Sequence, residues 1–148
     1  MTGFAVPITT LYAGLNALLL IALAFWVVRM RQATQTVLGT TPSHTDNPGL
    51  DDRLERACRA HGNAVEYIPV ALILILVLEL MGQSVYLLHG LGLGLTVGRI
   101  LHAQGLATSR GATPGRLAGT AMTWGVFIIG GLAAIVTAFQ AVWVPGPQ

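Results

Sequence analysis

Charge is what this sequence lacks most. Asp, Glu, Lys and Arg together make up 9% of its 148 residues, against about 25% in a soluble domain. Set beside 53% apolar residues, that deficit points to lipid rather than water around most of the surface. Lysine is absent: all eight basic residues are arginines, and the formal net charge is only +2. A chain this apolar and this weakly charged offers no basic face to a nucleic acid. The lone cysteine, Cys58, excludes an intrachain disulfide. The few histidines and glutamates show no spacing usual for a metal site, so no metal is expected. There is no long repeat and no low-complexity tract. The N-terminus lacks a basic segment and its apolar run is too long for a signal peptide, so no cleavable leader is expected. The length fits one domain.

What is present is a set of long apolar runs. Crossing hydrocarbon takes about 20 apolar residues in a helix. Residues 4–28 reach that length without a charge, and so do 117–144. The run "VALILILVL" is too short alone, but suffices if its helix begins near Asp52. Residues 85–106 are apolar apart from His89, Arg99, His102 and Gln104. The expected fold is therefore an all-α membrane protein, a bundle of four transmembrane helices at roughly 4–31, 52–81, 85–107 and 114–143. The Pro- and Asx-rich stretch 40–49, the turn MGQS at 81–84 and the stretch 108–115 connect them. Asp52 with Glu55 reads as a capping box. Thr113 before Pro114 reads as N-cap and first helical residue. Gly90, Gly94 and Gly98 recur every fourth residue, a stripe that lets helices approach closely in a bundle or oligomer seam. With four spans, the first and third connections share a side. All arginines lie on that side or in the half-helix leading to it, so it is expected to face the cytoplasm, with both termini outside.

The polar residues are grouped. On a helix, Arg59, Asn63 and Glu66 fall within about 60° of one another, and descend toward the bilayer as a column bordered on one side by Arg56, with Tyr67 further round the same side. Ionisable residues in a membrane segment are costly, by about 2.5 kcal/mol or more, so they are held by partners or by a polar ligand. An arginine, an amide and a carboxylate can together hold a zwitterion; an internal Arg59–Glu66 network is the structural alternative. Arg99 and His102 share a face of the third helix. Arg99, roughly 12 Å inside its helix end, calls for an anionic partner, and Glu66 is the candidate. Arg116 stands at the third position of the fourth helix, where the helix dipole already presents positive charge. Arginine plus helix N-terminus makes an anion site. Glu79 is expected at the interface and His89 in packing. Cys58 has no base near it in this reading, so it is not expected to be a nucleophile.

"ERACRAHGNAVEYIP" (55–69), followed by its apolar run, resembles the signature of the MAPEG superfamily, membrane-associated proteins in eicosanoid and glutathione metabolism. Glu55, Arg56, Arg59, Ala60, Asn63, Glu66 and Pro69 fall in its pattern. "GRILHAQGL" (98–106) and "TPGR" (113–116) are similar to its third- and fourth-helix motifs. The nearest likeness is to the small bacterial members. The resemblance implies a homotrimer of four-helix subunits, with glutathione as co-substrate at subunit interfaces near the cytoplasmic boundary. It implies that Arg59, Asn63, Glu66, Tyr67 and His102 bind glutathione, that Arg29 or Arg31 adds a contact, and that Arg116 stabilises the thiolate. Two departures stand out. Leukotriene C synthase-like members have tyrosines where His102 and Leu106 stand here. Prostaglandin E synthase-like members have a serine where Leu117 follows Arg116. Both put the eicosanoid activities in doubt.

The expected function is a glutathione-dependent transferase or peroxidase in the bacterial inner membrane. It would activate the thiolate against lipophilic electrophiles or lipid hydroperoxides arriving from the membrane lipids. A non-catalytic scaffold binding lipid or glutathione is the alternative. A small transporter would need a polar path through the bilayer, and helices one and four read as almost wholly apolar inside.

Overall fold

The structure is a computed structural model that describes residues 5–40 and 48–143. These residues form four helices and no strand: α1 (Pro7–Thr34), α2 (Pro48–Leu80), α3 (Val85–Thr108) and α4 (Pro114–Trp143). The expected start of the first helix at residue 4, and the loop residues 41–47 with His44, lie outside the described residues.

Proline opens three of the four helices. Its fixed φ suits the first helical position, and its missing N–H would have had no partner there anyway. This corrects the expected start of α2. Because Pro48 opens that helix, Asp52 and Glu55 lie inside it and are not a capping box. They serve ion pairs instead: Asp52 with Arg56 at 3.1 Å, and Glu55 with Arg59 at 2.9 Å and Arg110 at 3.0 Å. The expected cap of α4 is present, with the Arg116 amide donating to Thr113 Oγ1 at 3.3 Å.

Among the described residues, α1 and α4 do not touch. Each packs on α2 and on α3, so α2 and α3 form the inner pair. The apolar side chains of the outer helices point away from the bundle: Leu18, Phe25, Ile128, Ile135 and Phe139 are all exposed. A soluble protein does not tolerate so continuous an apolar exterior; a bilayer requires it. Three helices are long and apolar enough to cross a membrane: α1, residues 52–80 of α2, and α4. The expected fourth, α3, does not meet that measure. It carries Arg99 and His102 on its buried side and is the helix most enclosed by the others. The chain is an all-helical integral membrane protein.

Small residues set the helix spacing. The ring of Tyr12 in α1 rests in the notch left by Gly92, where an added Cβ would lie 2.1 Å from the ring. A Cβ on Gly119 of α4 would stand 2.4 Å from the carbonyl oxygen of Gly98 in α3. The expected glycine stripe is thus a seam inside the bundle for Gly94 and Gly98, which face α4, while Gly90 meets nothing within 4 Å.

Two polar clasps orient the bundle. Glu79, near the end of α2, accepts the amides of Ile8 at 2.9 Å and Thr9 at 2.7 Å. It therefore caps α1, because the first amides of a helix lack partners and carry positive dipole charge; it is not simply interfacial. At the other end Arg56 donates to the carbonyls of Leu106 (3.3 Å) and Ala107 (2.9 Å), the C-terminus of α3. That clasp joins the end of α3 to the first part of α2, and the start of α4 lies against the same end of α3 at Gly105. Helix α1 is less apolar inside than its sequence suggests. Asn16 is fully buried and donates to Tyr12 O and Thr96 Oγ1, both at 2.9 Å, and Tyr12 Oη lies 3.1 Å from His89 Nδ1.

Candidate functional site

The arginine-rich end holds an open recess of about 280 Å³, lined by Arg59, Gly62, Asn63, Glu66, His102, Leu106 and Arg116. Three helices build it. From α2 come Arg59, Asn63 and Glu66, one turn apart along a single stripe, with Gly62 between them leaving the wall open: nothing lies within 4 Å of where its Cβ would be. From α3 come His102 and Leu106, held one turn apart. From α4 comes Arg116, in the first turn behind the Thr113 cap. A tight crossing of backbones sets the last distance. A Cβ on Gly105 would lie 2.6 Å from the Arg116 amide, so only glycine lets the start of α4 come this close to α3.

The charges in the recess are largely unspent on the protein. Arg59 is mostly exposed and gives only its Nε to Glu55. Arg116 Nη1 donates to the backbone carbonyl of Arg110 at 3.1 Å, and no carboxylate pairs with it among the described residues. Glu66 is exposed and makes no ion pair among them either. The internal Arg59–Glu66 network is therefore not what holds these residues: Arg59 turns toward Glu55, one helical turn back, where α2 can offer a carboxylate at i−4.

Arg99 lies behind the recess wall and is only 2% exposed. Its expected partner was Glu66; the structure corrects this. Its Nη2 donates to Asn63 Oδ1 at 2.5 Å and lies 3.1 Å from His102 Nδ1, and its Nη1 donates to Thr123 Oγ1 at 3.3 Å. The Tyr67 ring stacks over its guanidinium, 5.5 Å from the ring centroid, and meets Phe127 edge-on at 5.7 Å. Glu66 cannot reach inward because its face of α2 opens to the recess, while the Tyr67 side, further round the helix, meets α3 and α4. Tyr67 thus supports the wall and does not line the recess.

The helix-one arginines are also elsewhere. Arg31 folds over the turn after α1 and donates to the carbonyls of Val37 at 3.0 Å and Gly39 at 3.1 Å. Arg29 is exposed and outside the recess. The recess gathers Arg59, Asn63, Glu66, His102 and Arg116, and leaves Arg29, Arg31 and Tyr67 out. The roles of Arg99 and Thr123 were not legible as a pair, because they meet across helices. The only hint was the spacing of Arg99 and His102, which puts them on one face. No group of three or more potential metal-ligating side chains occurs among the described residues.

A recess of this size is at the small end of ligand pockets. Its chemistry suits a small polar molecule with more than one charge: two guanidiniums for acids, one carboxylate for an ammonium, and an amide and an imidazole between them. Over 98 residues the chain is 40% identical to the inner membrane protein YecN of Escherichia coli strain K12, covering 66% of this chain and 69% of the relative. The match to YecN of E. coli O6:H1 is equally close. No solved structure matches. A model of the MAPEG family matches residues 9–136, from the first turn of α1 deep into α4 and so across every residue of the recess; the chain belongs to the MAPEG family.

Proposed function

We propose that this protein is a glutathione-dependent transferase or peroxidase of the bacterial inner membrane, with all four helices spanning and three subunits assembled around shared sites. The observation that carries the reading is a recess at the arginine-rich end of the bundle that brings together Arg116, which has no carboxylate partner among the described residues, Arg59, which gives only its Nε to Glu55, an amide, and Glu66, which makes no ion pair among the described residues. Glutathione has two carboxylates, one ammonium, two peptide groups and a thiol. Arg59 suits a carboxylate, Glu66 the ammonium, and Asn63 a peptide group. The positive-inside rule sets this end in the cytoplasm. Arg116 also lines a second hollow on α4, beside the exposed Leu117 and Trp124, which would give a membrane-dissolved electrophile access. Arg29 or Arg31, outside the recess of their own chain, would serve a neighbour's site in a trimer.

Arg116 carries the chemistry. A thiol has a pKa of about 8.5, and a cation beside it favours the thiolate, the reactive form. Arg116 adds its charge to the positive end of the α4 dipole. In conjugation, the thiol proton leaves to solvent and the sulfur lone pair forms a C–S bond; the electrophile's leaving group departs with its bonding pair, or, in an activated alkene, the displaced π pair takes up a proton. In peroxide reduction, two glutathiones yield the disulfide, and the hydroperoxide yields alcohol and water.

The test is calorimetric titration of the detergent-purified protein with glutathione, beside Arg59→Ala and Glu66→Gln, with turnover measured on Arg116→Ala. Saturable binding weakened by the first two, and turnover lost in the third with binding kept, is expected. Folded protein that binds no glutathione sinks the reading. Binding without turnover on any lipophilic electrophile or hydroperoxide would leave a scaffold.

A further inference from the structure

Arg99 is a buried cation whose neighbours are all neutral. A guanidinium only donates hydrogen bonds, so every atom it reaches must accept. Thr123 shows that the network is consistent: its Oγ1 accepts from Arg99 while its own proton goes to the carbonyl of Gly119 at 2.8 Å. For Asn63 the consequence is a fixed amide. Oδ1 is turned to Arg99 at 2.5 Å, and the Nδ2 amino group is left over. For His102 the consequence is a fixed tautomer. Nδ1 accepts from Arg99 at 3.1 Å, so the neutral ring carries its proton on Nε2. Among the described residues neither Nδ2 nor Nε2 has a protein partner, and neither is among the buried polar atoms left without one, so both open onto the recess their residues line.

We infer that Arg99 is a positioning residue that sets the hydrogen-bonding polarity of the recess: by holding Asn63 Oδ1 and His102 Nδ1, it makes both side chains donors toward the ligand. With Arg59 and Arg116, the recess then offers donors from four side chains and an acceptor carboxylate from Glu66 alone. The group seated between Asn63 and His102 is therefore an acceptor, such as a carboxylate, a thiolate or a carbonyl, and not an ammonium, which only donates. The ligand side of this inference rests on the proposed glutathione site; the donor assignment does not.

Two experiments separate them. The first is nitrogen-15 NMR of histidine-labelled, ligand-free protein in detergent at pH 7, with His102 assigned by its loss in His102→Gln. The expected spectrum shows a neutral ring protonated on Nε2. A ring protonated on Nδ1, or on both nitrogens, overturns the inference whatever the protein binds. The second is Asn63→Asp. This change gives Arg99 a carboxylate partner and replaces the Nδ2 donors at the recess with a negatively charged acceptor oxygen. The thermal midpoint should hold or rise while glutathione affinity falls by about tenfold to a hundredfold, the worth of a hydrogen bond to a charged group. Unchanged affinity would mean that Asn63 serves only structure, and overturns the inference. If the spectrum is as expected but wild-type protein binds no glutathione, the donor assignment stands and the proposed ligand falls.

Discussion

Replacing Gly119 by alanine adds one methyl group where α3 and α4 cross behind the recess. The new Cβ would stand 2.4 Å from Gly98 O, 2.5 Å from His102 N and 2.9 Å from His102 Cβ. Non-bonded carbon contacts settle at about 3.5–4.0 Å, so the helices must part by on the order of 1 Å. Nothing flexible can yield, since the atoms struck are backbone or Cβ. Overpacking of this kind costs about 1–3 kcal/mol, and three rigid atoms of α3 place Gly119→Ala at the upper end. Alanine recovers up to about 1 kcal/mol through its better helix propensity, leaving a net loss of about 2 kcal/mol. Gly131→Ala, in the same helix with nothing within 4 Å of its Cβ, is the control and should be neutral or slightly stabilising. The assay is unfolding of both variants by SDS titration in mixed micelles. His102 is the residue pushed and Arg116 lies one turn before Gly119, so the same variant should also bind glutathione more weakly. If Gly119→Ala resists SDS as well as Gly131→Ala, the tight crossing does not exist as described and the spacing of His102 and Arg116 loses its cause.

Other outcomes follow from single contacts. Thr113→Ala removes the side-chain acceptor for the Arg116 amide; it should cost about 1 kcal/mol in the same SDS titration, and Thr113→Ser should restore it. Glu79→Gln replaces one of two oxygens that cap α1 with an amino group facing a backbone N–H; it should destabilise by about 1–3 kcal/mol, and hydrogen exchange should rise first at the start of α1. Arg110→Ala breaks ion pairs to Asp52 and Glu55 made by a largely exposed guanidinium; SDS resistance should change by less than about 1 kcal/mol, and a larger loss would assign that cluster a structural role.

Much of this protein was legible in one dimension. Scarcity of charge and runs of apolar residues determine a helical membrane protein, because a chain segment in lipid must satisfy its own backbone. Helical periodicity alone brings Arg59, Asn63 and Glu66 to one stripe and sets Arg116 in the first turn of α4, since both depend only on neighbours within a few residues. The Pro114 start and the Thr113 cap were readable for the same reason. What depended on residues far apart in the chain was not readable. Sequence could not tell that Arg99 would take Asn63, His102 and Thr123 in place of Glu66, because the choice turns on which face of α2 meets α3 and α4. It could not show Glu79 capping a helix that begins some seventy residues earlier in the chain, nor Tyr67 turned from the recess to the guanidinium behind it. The glycines were visible as a stripe, but only the packed helices decide which are seams: Gly98, Gly105 and Gly119 touch backbone, and Gly90 touches nothing. Local rules determine which residues share a helix face; only tertiary packing decides what that face meets, and here that packing separates a buried arginine from the open recess in front of it.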